Sequence, residues 1–563
     1  MAAQTFDQLI DFTRTTAATY VDATGKIAIT PASRNLLTFT QEFDNAAWVK
    51  ANATVTANST TAPDGTLTAD KLVETTTTAE FILTRTPTLS PSTTYTFSCY
   101  MKAAERTFGV LNIYTGAASC WTWFNLSTGA VSTLGAGATA TITAVGNGWY
   151  RCTLTIATAA SGTPNVAIFP AATNGVTFYA GTAGNGIFIW GAQLEQASAA
   201  TTYTRNFGGV FPPRFDYDPV TLAPKGLLIE EQRTNLLTYS EQFDNAAWAK
   251  SNATVTANAV TAPDGTSTAD KAIQNAVTAF ATVGRAATIV VGTSYTFTVY
   301  GKMAEWRYMA LAPNGSPDVA VFDLQNGVVA SKAASTVATV TAVGDGWFRC
   351  SMTYTEASLT SRTFAVLPNN TGTFSSQTGD GTSGIFIWGA QLEAGAFATS
   401  YIPTVASQVT RTADQTTISA PNFSSWYNQS EGTFVVEASS AQANSNRLIE
   451  ASGGISARVV DLLLVTTGGA ALQMYNGTAN LTTLNFFTAG SVVKAAGAYA
   501  TSDYAAVLGG SAPATNTAAL VNSATSLQIG RQSTGAGYLN GHIRSIRYYP
   551  SRLTNAQLQA LTA

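Results

Sequence analysis

The 563-residue sequence predicts an all-β protein built of successive β-sandwiches. Three observations carry that prediction. A block from Asn35 to Lys71 returns from Asn235 to Lys271 with the same residue at 28 of 37 positions, so the chain contains a duplicated unit. Apolar and polar residues alternate over strand-length runs, as with Tyr95, Phe97, Cys99 and Met101, which is the pattern of half-buried antiparallel strands. Charged residues make up only 11% of the chain, against about 25% in typical soluble domains. Thr, Ser, Gly and Asn replace them; β-branched Thr fits a pleated surface, and Gly and Asn supply turns.

In chain order, residues 1–34 offer short strand-like pieces at Tyr20-Val21-Asp22 and Lys26-Ile27-Ala28-Ile29 about a turn at Ala23-Thr24-Gly25. The segment is too small for a core of its own and must dock on the next domain, another subunit or a larger assembly. The first copy spans 35–202, with a second alternating run at Tyr150, Cys152, Leu154 and Ile156. Gly, Asn and Pro turns recur along it, and a sandwich of about eight strands follows. The second copy, 235–402, repeats this with Tyr295, Phe297 and Val299 and then Phe348, Cys350, Met352 and Tyr354. Both copies close on the same ten letters, Gly186 to Glu195 and Gly384 to Glu393. Between them, the linker 203–234 carries Phe211, Phe215 and Tyr217, aromatics that need cover, so it should pack along the sandwiches. A connector, 403–417, leads into a last domain at 418–563. There Gly432 to Glu437 and Arg458 to Val465 read as strands. Gly541 to Tyr549 is a further strand stopped by Pro550, and Thr554 caps a short helix from Asn555 to Leu561.

Composition also excludes functions. A net charge of −3 with no basic run gives no footprint for nucleic acid. No apolar run approaches the ~20 residues of a bilayer-spanning helix, and Met1 to Asp7 lacks the basic and apolar regions of a secretory signal. Four scattered cysteines do not make a disulfide framework; Cys152 and Cys350 occupy matching places in the two copies and read as small core hydrophobes.

Three stretches resemble known families. The Asn35-Leu36-Leu37-Thr38 to Trp48 opening, with the Phe188-Ile189-Trp190-Gly191-Ala192-Gln193-Leu194-Glu195 closing strand, resembles the jelly-roll, carbohydrate-binding-module-like domains of tailed-bacteriophage structural proteins. The linker run Pro213 to Pro219, with Gly226 to Leu237, is similar to segments of phage minor tail, fibre and head-spike proteins. Ile543 to Tyr549 with Leu553, Thr554, Gln557 and Leu558 resembles the last strand and helix of the concanavalin A-like, laminin-G-type lectin fold. The resemblance implies two tandem jelly-roll β-sandwiches followed by a concanavalin A-like β-sandwich. It implies a virion-surface protein, a fibre, spike or decoration subunit made in the host bacterial cytoplasm. Its partners would be other virion proteins, two further copies in a homotrimer, and a host-surface polysaccharide or glycan. Residues 1–34 would anchor it to the particle and the C-terminal domain would face the host. A glycan-degrading spike and a purely structural spacer are the alternatives.

Candidate glycan contacts are aromatic, because sugar faces stack on such rings. Trp121, Trp123 and Trp306 are each present in one copy only, and features unshared between copies suit copy-specific contacts. Trp48 and Trp248 follow an Asp-Asn-Ala-Ala turn and could stack on a sugar or plug a domain edge; Trp426 and Tyr427 are further candidates in the last domain. Trp149, Trp190, Trp347 and Trp388 sit in strand patterns and read as core. Asp64, Asp70 and Glu195, with Asp264, Asp270 and Glu393, could supply oxygens to calcium, as jelly-roll modules of this kind often do, although Asp64-Gly65 and Asp264-Gly265 read equally as turns. No other cofactor is required. Enzymatic chemistry has little support: His542 is the only histidine and falls in a strand, where it reads as a surface side chain.

Overall fold

The computed structural model describes residues 10–30, 35–206, 208, 211–419, 422–441, 446–453, 458–465, 471–475, 480–482, 491–517 and 524–563. Among the described residues the chain is all-β apart from one short helix, and it forms three two-layer sandwiches.

Each copy of the repeat packs two six-stranded antiparallel sheets. One sheet of the first copy runs Ala130–Thr133, Ser119–Asn125, Phe108–Tyr114, Asn165–Ala171, Ile82–Arg85, Val49–Ala51; the other runs Thr139–Gly146, Trp149–Ala157, Thr94–Ala103, Gly186–Glu195, Ala69–Glu74, Ala53–Thr60. Successive strands cross between the layers, from Ile82–Arg85 to Thr94–Ala103 to Phe108–Tyr114, giving a jelly roll. The second copy repeats that order strand for strand. Fourteen strands per copy, twelve in these sheets and two in a small separate ladder, exceed the eight or so expected because pieces such as Val49–Ala51 are too short to show alternation. Tyr95, Phe97, Cys99 and Met101 face the core between the sheets, as their spacing requires, and all four cysteines are free and buried.

The repeated opening letters are the clasp of each sandwich. Asn35, 1% exposed, donates through Nδ2 to Ala192 O (2.9 Å) and Thr204 O (2.9 Å), and its Oδ1 accepts from Leu37 N (3.1 Å) and Leu194 N (3.2 Å). Asn235 makes the same four bonds, to Ala390 O, Ile402 O, Leu237 N and Leu392 N. One amide side chain thus satisfies the backbone where each jelly roll begins and ends, bringing its two ends side by side.

The third sandwich differs from expectation in its parts. Among the described residues two seven-stranded sheets form it, and three of their strands come from far upstream. Asp11–Thr13 pairs with Gln415–Thr417, and Arg214–Tyr217 with Pro224–Ile229 forms a hairpin that pairs with Gly541–Ile543. The linker is therefore part of a sheet rather than a strap along the jelly rolls. Residues 10–30 and the C-terminal domain, expected at opposite ends of the molecule, are joined. The C-terminal strand Gly541–Tyr549 and the helix Asn555–Thr562 lie where the sequence places them, the helix closed by a capping box between Thr554 and Gln557.

Buried charges tie these segments together. Asp414, fully buried, accepts from Arg14 Nη1 (2.7 Å), Arg214 Nη2 (2.5 Å) and Glu230 N (3.0 Å). Glu230 pairs with Arg214 and Arg411 and accepts from Ser400 N (2.7 Å). Burial pulls the Arg14 guanidinium down to about 10 despite Asp414, whereas Glu230, also buried, is held well below the usual carboxylate range by Arg411 and Arg214. Arg14 from the N-terminal segment, Arg214 and Glu230 from the linker, and Arg411 and Asp414 from the connector thus meet in one network. The second jelly roll is tied on by Ile27 N to Pro263 O (3.2 Å) and the Lys26–Asp345 ion pair, the first by Arg205 to Asp11 (3.4 Å) and Glu42 (2.5 Å).

Candidate functional site

The strand Phe108–Tyr114 sends Leu111 and Ile113 into the core, so period two puts Phe108, Val110, Asn112 and Tyr114 on the outer face of its sheet. The register brings aromatic residues to both sides of that row. Val110 lies opposite Trp123 on one neighbour and Phe169 on the other; Asn112 lies opposite Trp121 and Ala167. Trp121 and Trp123 stack with ring centroids 6.2 Å apart and planes 27° apart, and Trp121 leans on Phe169 at 4.7 Å. Trp121 is half-buried, and Trp123 and Asn112 are 9% and 4% exposed.

Two polar atoms in this patch are unsatisfied. Among the described residues, neither the Trp123 Nε1 donor nor the Asn112 Oδ1 acceptor meets a hydrogen-bond partner. A buried unpaired polar group costs about 1–3 kcal/mol. The half-buried Trp121 ring is a face on which a sugar's apolar side can stack, and the donor and acceptor lie buried beside it, where a shift of the rings would bring them to a sugar's hydroxyls. In the second copy the positions matching Asn112, Trp121, Trp123 and Phe169 carry Ala312, Val319, Val321 and Leu367, aliphatics with neither rings nor amide.

The structure therefore brings Trp121 and Trp123 together and disperses the other candidates. Trp48 and Trp248, each 1% exposed, are core anchors whose Nε1 atoms donate to Phe39 O (2.8 Å) and Tyr239 O (2.9 Å); the turn before each directs its ring inward, against Phe43 or Phe243. Trp306, 8% exposed, belongs to the second core, not to a surface. Trp426 and Tyr427 pack with Phe423, Phe434, Tyr499 and Tyr548 in the third sandwich, Trp426 partly buried and Tyr427 7% exposed. Trp149, Trp190, Trp347 and Trp388 are buried, at 5% exposure or less.

The acidic candidates do not converge. Asp64 and Asp264 accept from Thr66 and Thr266 as Asx turns. Asp70 accepts from Phe43 N (2.9 Å) and Asn58 N (2.8 Å), and Asp270 from Phe243 N (2.8 Å) and Asn258 N (2.9 Å). Glu195 and Glu393 hold the backbone and hydroxyl of Thr201 and Thr399. Burial pushes Asp70 up to about 7 against those two amide bonds, and burial raises Asp270 and Glu393 as well. Among the described residues no group of three or more His, Cys, Asp or Glu could hold a metal ion.

Asn112 and Phe169 were not among the candidates. Asn112 stands where the second copy has Ala312, so the copy-to-copy comparison that singled out Trp121 holds a signal for it too. His542 is not a free surface side chain: its Nε2 lies 2.8 Å from Asp216 Oδ2 and its side chain is 12% exposed, because the linker hairpin covers the strand.

No family model and no curated protein sequence matches the chain. Among solved structures, the N-terminal CBM22-1–CBM22-2 tandem of Paenibacillus barcinonensis Xyn10C is 10% identical, over 65% of this chain and 100% of that one, with a TM-score of 0.20. The LG4-5 domains of the mouse laminin alpha1 chain are 12% identical over 50% and 88%, with a TM-score of 0.18. The CBM40 of the Ruminococcus gnavus IT-sialidase, solved with alpha2,3 sialyllactose, is 16% identical over 26% and 89%, with a TM-score of 0.22.

Proposed function

We propose that this chain is a glycan-binding structural protein of a phage particle, and that it holds a host-surface polysaccharide on the outer sheet face of the first jelly roll. The observation that carries the glycan reading is the Trp121–Trp123–Phe169 stack with an unpaired donor, Trp123 Nε1, and an unpaired acceptor, Asn112 Oδ1, inside it. Aromatic faces take the apolar side of a hexose ring and the polar atoms fix its orientation. The particle setting rests on the sequence resemblance of the clasp and linker segments to phage fibre and spike proteins. The N-terminal segment is woven into the third sandwich, which supports reading the third sandwich, rather than a free N-terminal tail, as the part that attaches to the particle. Single-site sugar affinity is weak, and copies in a trimer and around a particle multiply it.

A glycan array tests this with the full-length protein and a Trp121→Ala/Trp123→Ala variant. Wild type should retain a defined set of polysaccharides and the variant should lose them, with an unchanged thermal melt showing that the fold is intact. Equal binding by both proteins would move the site elsewhere, and no binding by wild type would reduce the chain to a spacer.

A further inference from the structure

The end of the second jelly roll away from its clasp carries a pair of exposed rings. Phe280, 43% exposed, and Phe374, 40% exposed, lie with centroids 5.0 Å apart and planes 31° apart. They stand on two segments that a short ladder joins, with Thr278 opposite Thr378 and Ala279 opposite Gln377. The strand Gly384–Ala394 leads from this rim to the clasp, where Leu392 N donates to Asn235. From Gly384 to Leu392 it covers roughly 25 Å.

The loop that presents Phe374 is pinned on both sides of the ring. Buried Asn369 donates through Nδ2 to Thr373 O (2.9 Å) and accepts at Oδ1 from Thr371 N (2.8 Å). Buried Gln377 donates through Nε2 to Ser375 O (2.9 Å) and Ser375 Oγ (2.9 Å). On the other segment, Asn252 Nδ2 donates to Phe280 O (3.2 Å). The first copy lacks the pair. Its ladder sets Tyr179 opposite Ala79 and Ala180 opposite Thr78, so Glu80 and Val176 occupy the places of Phe280 and Phe374, and Thr177 Oγ1 donates to Glu80 Oε1 (2.8 Å) there.

The surroundings of the rings point to the kind of molecule that they take. Neither 275–280 nor 369–377 carries a charged residue, and Thr278, Thr371, Thr373 and Ser375 are exposed. A stable protein interface covers about 800 Å² on each partner around a contiguous apolar core. Here hydroxyl side chains flank the rings in both segments. Two rings among hydroxyls match a sugar, with its apolar face and polar edges, and the lack of charge matches an uncharged one.

We propose that this rim is a second sugar platform, on which a neutral polysaccharide held at the Trp121 face of the first jelly roll also stacks. The inference rests on the glycan reading of that face. Two rings alone hold a single sugar weakly, so the rim acts on long chains: once one stretch is bound at the first face, further repeats of the same chain meet the rim at a high local concentration.

The test is surface plasmon resonance on immobilised full-length protein, with neutral polysaccharides of glucose, galactose, mannose and N-acetylglucosamine and with the hexasaccharide of each. The variant is Phe280→Glu/Phe374→Val, which installs the residues that the first copy carries at these places. It should bind a polysaccharide about ten-fold more weakly than wild type and bind the matching hexasaccharide equally well, whereas Trp121→Ala/Trp123→Ala should lose both. Unchanged polysaccharide binding by the rim variant would overturn the proposal and leave the reading of the first face intact. Equal loss of polysaccharide and hexasaccharide would overturn it too, because a platform for later repeats acts only on the long chain. A polysaccharide lost by the rim variant but kept by Trp121→Ala/Trp123→Ala would make the rim the primary site, against both this proposal and the reading of the first face. Wild-type binding confined to sialylated or uronate polymers would refute the neutral class, and a changed sedimentation coefficient of the rim variant would assign the rings to a contact between copies instead.

Discussion

Asn112 separates a binding role from a packing role, because the two predict opposite signs. Its Oδ1 is buried and unpaired, so truncating it removes a cost to the fold of about 1–3 kcal/mol in the free protein. Asn112→Ala, the residue the second copy carries, should leave the melting temperature unchanged or raised while weakening glycan binding about ten-fold; a calorimetric melt and a glycan titration of the same variant check both. Asp70 gives a second prediction. An unfolded aspartate titrates near 3.8 and this one is pushed by burial to about 7, so the charged form is the costly one in the fold. At about pH 8 that cost is fully present, and it is relieved as pH falls through 7 toward the unfolded value. Thermal melts from about pH 8 to about pH 5 should therefore show rising stability. Asp70→Asn, which has no ionised form, should flatten the rise. Asp70 and Trp48 also show where sequence reading stops. An acid and an indole in a turn-rich run look like ligands, yet both face inward to organise the start of the sandwich, and direction is set by packing partners that composition does not reveal. Trp121 and Trp123 stand out in the sequence because two copies of one fold differ there.

Among the elements, those with strong local signals were readable: alternation gave the central strands, and Pro550 with Thr554 gave the C-terminal strand end and helix start. The three-residue strand Asp11–Thr13 has too few positions to show alternation, and its partner Gln415–Thr417 is some 400 residues away. What holds such a short strand is the charge network behind it, in which Asp414 accepts from Arg14 and Arg214 together. Removing one charge from a buried set strands its partners, at a cost of about 3–5 kcal/mol. Asp414→Asn should lower stability by that order in denaturant unfolding. It should also speed amide exchange in Asp11–Thr13 and the hairpin at Arg214–Ile229 well before it affects Phe108–Tyr114 in the first jelly roll. Uniform loss of protection across all three sandwiches would mean that the network is no more than one more contribution to global stability.

The molecule as a whole is best understood as one sandwich with two insertions. The third sandwich is discontinuous in sequence, assembled from Asp11–Thr13, the hairpin at Arg214–Ile229 and the chain from Gln415 onward. Each jelly roll leaves it and returns at neighbouring points. Asn206 Nδ2 donates to Asn35 O at 3.1 Å at the ends of the first, and Arg233–Asn235 pairs with Val409–Arg411 at the ends of the second. Inserted domains with adjacent ends can be removed without opening their host, since few contacts cross the boundary. Replacing residues 36–205 by a short Gly-Ser linker should therefore give a protein whose remaining two sandwiches still fold, with native-like near-ultraviolet dichroism and a cooperative melt, and which has lost glycan binding. The fragment 418–563, which follows the boundary suggested by sequence alone, should fail the same assay, because it lacks four strands, Asp11–Thr13, Arg214–Tyr217, Pro224–Ile229 and nearly all of Gln415–Ile418, together with Arg14 and the whole buried network. A folded, cooperative 418–563 would show that the upstream strands decorate a self-sufficient domain, and the insertion architecture would have to be abandoned.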